Sequence, residues 1–193
     1  RPIDFDELMP RRLIGRIALP LFCWEVARGL ERTRDRDRYL LRLGLFALIS
    51  QPPYALVFPP GMLNVGVPLL LGALAFRLPG GAIERAGVVT LMALIAAQCG
   101  ADGLWLGPVL VAAAVVCRHR LALYGCLASV IQGVFGLCYG IPALAGAFLV
   151  VPACLWCLAT WPERWHWPAP RWLFYVGYPG HLLVLGVVRL LRG

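Results

Sequence analysis

Arginine occupies every second connection between the apolar runs of this chain and is missing from the connections in between. Arg28, Arg32, Arg34, Arg36, Arg38 and Arg42 follow the first run, Arg77 and Arg85 the third, Arg118 and Arg120 the fifth, and Arg164 and Arg171 the seventh. The alternate connections, QPPYALVFPPGMLN, QCGADG and CYGIP, contain none. Arginine-bearing loops resist translocation and stay on the cytoplasmic side, so this alternation is the pattern of a chain threaded back and forth through a bilayer.

A helix crosses about 30 Å of hydrocarbon only if its apolar run reaches roughly 17 to 25 residues at about 1.5 Å each. Runs that meet or nearly meet this length lie at about 13–31, 39–57, 61–78, 84–100, 103–118, 121–138, 141–160 and 172–191. The expected fold is therefore all-α, a polytopic helical membrane protein with about eight transmembrane helices in a single domain over 1–193. The third to fifth runs are short and interrupted by glycine, which leaves a re-entrant course open for one of them. Composition agrees: 60% of the residues are hydrophobic, mean hydropathy is +0.75, and 15% are charged, against roughly 25% in an average soluble domain. Trp161, Trp165, Trp167 and Trp172 cluster where a cytoplasmic interface is expected.

The net charge of +8 raises the question of nucleic acid. All 18 basic residues are arginine, held in short clusters between apolar runs and forming no continuous basic face, so no nucleic-acid partner is expected. The seven cysteines lie mostly inside apolar runs, where cysteine behaves as a small apolar residue; neither disulfides nor a metal site is expected. The alternation places Arg1, Arg11 and Arg12 outside, against their resistance to crossing, and an additional span upstream of Arg1 would relieve that tension.

Ionisable residues within the apolar runs are the candidate functional groups, since each costs on the order of 2.5 to 3.5 kcal/mol at the bilayer centre. They are Arg16, Glu25, Asp102 and His181, with Asn64 and Gln132 as neutral companions. Glu25 is followed at i+3 by Arg28, a spacing that permits an ion pair, so a structural pair and a proton-handling role both remain open. Arg16, nine residues before Glu25, falls on the opposite face of an ideal helix unless Pro20 bends it, and snorkelling to the interface is its simplest role. His181 lies in FYVGYPGHLLVL, where Pro179 withholds a donor from the Tyr175 carbonyl and predicts a broken helix lining a cavity; Tyr178 shares its face. Asp102 in QCGADGLWLG serves equally as a helix cap or as a catalytic carboxylate.

GRIALPLF, the T-R-x-x-x-Y-L-L-R-L run from Thr33 to Leu43, FALISQPPY, LNVGVPLLLG, ADGLWLG and FYVGYPGHLL together resemble the TraX family of bacterial conjugation proteins, in the family's order and over nearly the whole chain. The resemblance implies an acetyltransferase of the bacterial inner membrane that modifies a pilin subunit, with acetyl-CoA as donor. Two departures stand out: members of the family typically carry an earlier span with an Asp-His pair, and a glutamate where this chain has Arg28. On that implied activity, His181 is the candidate base, Glu25 or Asp102 an orienting carboxylate, and Arg16 or Asn64 an oxyanion or substrate contact, with Tyr178 beside them. Arg32, Arg34, Arg36 and Arg38 are candidates for the phosphates of acetyl-CoA, although setting topology is the simpler account of them. A non-catalytic transporter or assembly factor of the conjugation envelope complex is the alternative.

The arginine alternation predicts that reporters fused within 33–37, 79–83 and 162–170 are cytoplasmic. Periplasmic signal from any two of these sites overturns the threading.

Overall fold

The computed structural model describes residues 9–101, 105–138 and 171–192, with side chains over 18–101, 105–138 and 176–191. Those residues form seven helices: α1 (Met9–Arg32), α2 (Arg36–Val57), α3 (Gly66–Leu74), α4 (Ala82–Gln98), α5 (Leu106–Val116), α6 (Leu121–Cys138) and α7 (Arg171–Arg192). The all-helical expectation holds for them; their β pairing is confined to one isolated bridge between Leu63 and Ala101. The expected span at 141–160 lies outside the described residues.

Local chemistry sets the helix ends. Asp35 caps α2, its carboxylate accepting from the Arg38 N–H at 2.9 Å. The helix stops at Phe58, whose extended backbone is the conformation favoured before a proline, here Pro59. At the start of α4 the Glu84 carboxylate reaches back to the Gly81 N–H at 2.7 Å. Helix α7, by contrast, runs without interruption through Pro179, so the expected break at this proline does not occur.

Length corrects two of the expected spans. At 9 and 11 residues, α3 and α5 measure about 14 and 17 Å, half of what a bilayer requires. They are apolar all round because they form the protein's interior, the other environment that demands an apolar helix surface. Leu69 and Ala73 of α3 and Leu106, Leu110, Val111 and Ala114 of α5 are fully buried. Small residues make this contact possible: a Cβ on Gly107 would meet Pro68 at 2.6 Å, and one on Gly66 would meet the Ala47 backbone at 2.8 Å.

The outward faces are also apolar. Leu41, Leu48 and Ile49 of α2, Val130 and Leu137 of α6, and Leu183, Val184 and Leu190 of α7 are exposed. Among the described residues, α2 and α6 are the helices both long and apolar enough to cross a membrane. Helix α7 lies along α2 in parallel: Tyr178 packs on Phe46, Gly186 on Leu56, and Arg189 donates to the Val57 carbonyl.

Buried polar groups hold α3 in place. Asn64 is fully buried and donates to the Ala47 carbonyl and to Gln51 Oε1, both at 2.7 Å, while its Oδ1 accepts from the Gly66 N–H at 2.8 Å. Gln51 Oε1 also accepts from the Asn64 N–H at 3.0 Å, and Gln51 Nε2 donates to the Met62 carbonyl at 2.8 Å. Asn64→Asp keeps the shape and turns two donor contacts into facing oxygens. It is expected to destabilise the fold by about 2 to 4 kcal/mol, read as a lowered thermal unfolding midpoint in detergent; an unchanged midpoint removes the clamp from this account.

Candidate functional site

The end of the bundle where α1, α3 and α5 finish and α2, α4 and α6 begin gathers three of the arginine-bearing connections, as the sequence alternation requires. Within the hairpin joining α1 to α2, Arg38 pairs with Asp35 at 3.5 Å and Arg36 donates to the Phe76 carbonyl at 3.4 Å. Arg32 and Arg34 are exposed. Arg77 forks onto Asp37 with contacts of 2.5 and 3.0 Å, hydrogen bonds that raise the pKa of its guanidinium and join the hairpin to the loop after α3. Four candidate phosphate ligands are thus in unequal positions: Arg36 is turned toward the bundle and Arg38 is tied to its own helix cap.

His181 lies on the exposed side of α7, midway along the helix. Its Nδ1 is 3.2 Å from the Gly177 carbonyl. A carbonyl only accepts, so this contact favours the Nδ1–H tautomer of the neutral ring, which leaves the Nε2 lone pair free to take a proton. The Tyr178 ring meets the His181 ring edge to face at 5.3 Å and continues to Phe46 at 5.5 Å and to Phe22 of α1 at 6.2 Å. This aromatic chain sets the depth and orientation of α7 against α2 and α1.

Glu25 pairs with Arg28 at 3.0 Å on α1, with the two side chains 59% and 38% exposed. It does not face His181. Glu25 is three residues beyond Phe22 and His181 three residues beyond Tyr178, on helices that run in opposite directions from that ring contact. The two residues therefore diverge along the bundle axis, and the ion pair of the carboxylate is with Arg28, not with the imidazole. Asn64 is likewise removed as an oxyanion donor, since both of its amide hydrogens are held by Ala47 and Gln51. Arg16 falls within α1, one turn before Pro20, and its side chain lies outside the described residues, as does the whole of Asp102.

Two residues that sequence reasoning passed over have defined roles. Gln51 is the central partner of Asn64. Arg189, at the end of α2 remote from the arginine loops, bonds the Val57 carbonyl, one of the orphan acceptors of that helix terminus. Its signal was legible: an arginine closing the last apolar run falls on the side whose connections between runs carry none. Cys154 and Cys157, spaced as C-x-x-C, lie outside the described residues. Among those described, no group of three or more His, Cys, Asp or Glu comes together.

A family model described as TraX protein matches residues 7–189, nearly the full chain. The chain belongs to the TraX family. A segment of 44 residues, 23% of this TraX chain, is 41% identical to a probable fimbrial assembly protein FimC, serogroup H1, of Dichelobacter nodosus, and covers 18% of that protein. No solved structure matches this TraX chain.

The geometry around α7 predicts that the neutral His181 of the TraX chain is the Nδ1–H tautomer. Nitrogen chemical shifts of selectively labelled histidine in detergent or nanodiscs read this directly, and an Nε2–H ring overturns the assignment.

Proposed function

We propose that this TraX chain is a multi-pass protein of the bacterial inner membrane that transfers an acetyl group from acetyl-CoA to a conjugative pilin subunit or a related envelope acceptor. Membership of the family supports the reading, and so does the similarity of a 44-residue segment to a probable fimbrial assembly protein. The observation that carries it is His181, held on α7 with Nδ1 tied to the Gly177 carbonyl and Nε2 available.

In this reading the acceptor amine attacks the thioester carbonyl of acetyl-CoA. A nitrogen–carbon bond forms, the carbon–sulfur bond breaks, and His181 Nε2 takes the proton that the amine loses and returns it to the departing thiolate. With Glu25 paired to Arg28, the imidazole is oriented by its own helix through Gly177, and Tyr178 meets the ring edge to face. Arg16, whose side chain lies outside the described residues, is the oxyanion contact to test first, and Asp102 the orienting carboxylate.

A second reading, an assembly factor without catalysis, is favoured by the separation of Glu25 from His181 and by the name of the relative. Mass spectrometry of pilin from cells with and without the chain separates the two. Acetylated pilin is expected only with the chain present, and His181→Gln, which preserves bulk and hydrogen bonding, is expected to lower the transfer rate by about 10²- to 10⁴-fold without loss of membrane insertion. Identical pilin masses in the two strains leave assembly as the function. Acetylation that proceeds normally in His181→Gln places the base elsewhere.

A further inference from the structure

A pocket of about 140 Å³ opens at the arginine-bearing end of the bundle, between the last turn of α1, the first turns of α2 and α4, and the segments following α3 and α5. Three guanidinium groups from three separate connections line it: Arg36, Arg85 and Arg118. Glu31 is the carboxylate in its wall, and it stands 4.0 Å from Arg118 Nε and 3.8 Å from His119 Nε2, beyond hydrogen-bond length in both cases. Arg36 and Arg118 are exposed and Arg85 is partly buried, and three cations around one small space with a single carboxylate repel one another.

The guanidinium groups are also incompletely used. The Arg85 guanidinium lies over the Phe76 ring at 5.5 Å, which occupies its face, and one terminal nitrogen donates to the Gly80 carbonyl at 3.1 Å. Its Nε is buried without a hydrogen-bond partner, an arrangement that costs about 1 to 3 kcal/mol unless an acceptor arrives. Arg118 donates through Nε to His119 at 3.1 Å, and Arg36 makes a single long contact of 3.4 Å to the Phe76 carbonyl. The pocket is far larger than the roughly 10–15 Å³ that one water needs.

We propose that this pocket binds a phosphate group, with Arg36, Arg85 and Arg118 as its ligands. Forked N–H donors match phosphate oxygens, and an anion between them relieves the mutual repulsion and satisfies Arg85 Nε. The phosphate can belong to a soluble phosphoanhydride or to an anionic lipid headgroup, since the pocket sits where the arginine loops meet the cytoplasmic interface. Arg36 is shared with the hairpin candidates for acetyl-CoA, whereas Arg85 and Arg118 are not, and the proposal requires neither acetyl transfer nor Arg32, Arg34 and Arg38.

The test uses the full chain in phosphatidylcholine nanodiscs, read by its thermal unfolding midpoint. In one arm inorganic pyrophosphate is titrated against chloride at matched ionic strength; in the other, phosphatidylglycerol replaces part of the phosphatidylcholine. A saturable rise in the midpoint is expected in at least one arm, and that arm identifies the source of the phosphate. Arg85→Gln and Arg118→Gln are each expected to weaken the response roughly ten- to hundredfold, the loss of one charge-assisted contact, and Arg85→Lys is expected to restore it only in part. Arg42→Gln, an equal change of charge outside the pocket, is expected to leave it intact. If Arg85→Gln does not fold, Arg85→Lys and Arg118→Gln carry the comparison. No rise in either arm, or a rise that Arg42→Gln reduces as much as the pocket variants do, overturns the proposal.

Discussion

The hydrogen bonds of Asn64 hold a loop, the start of α3 and the outer half of α2 as one unit, and the interior is arranged around the helix that they fix. Its amide reaches Ala47 and Gln51 on α2 while its oxygen receives the Gly66 N–H at the start of α3. With α3 held there, Gly66 closes on Ala47, and Pro68 and Val111 fit against Gly107 and Gly72. The buried helices α3 and α5 then support α1, where Cys23 Sγ approaches the Gly107 carbonyl at 3.7 Å and the Tyr124 hydroxyl of α6 donates to the Pro20 carbonyl at 2.7 Å. Buried polar groups without such partners would cost about 1 to 3 kcal/mol each.

Around that centre the outer helices are fastened by different means at their two ends. Where the arginine loops gather, charge does the work: Arg77 with Asp37, Arg38 with Asp35, and Glu31 near Arg118. Toward the other end, helix termini and rings do it. Arg189 bonds the Val57 carbonyl, and Tyr54 stacks on Phe58 at 4.2 Å. Between the ends, the aromatic chain from Phe22 through Tyr178 to His181 fixes the depth of α7. His181 is thus positioned by packing and by its own helix, and no carboxylate is required to orient it.

Periodicity and charge in the sequence were sufficient for the helical class, because apolar runs separated by arginine-bearing loops leave backbone groups no partners except within helices. They were sufficient for the α1–α2 hairpin at Arg32–Arg36, for α6, and for the gathering of the arginine loops at one end. They allowed the Glu25–Arg28 ion pair that the structure forms, since i and i+3 on a helix are neighbours whatever the tertiary structure. The tertiary structure decided the rest. Hydropathy reads the same for an apolar helix in lipid and in a protein core, so the helix lengths and packing of the structure distinguished α3 and α5 from spanning helices. No sequence spacing relates Asn64 to Gln51, or Arg36 to Arg85 and Arg118, because these contacts join segments whose approach depends on how whole helices pack. The separation of Glu25 from His181 has the same origin: their distance is set by the direction and depth of α7 against α1, a property of the assembled bundle that neither helix carries alone.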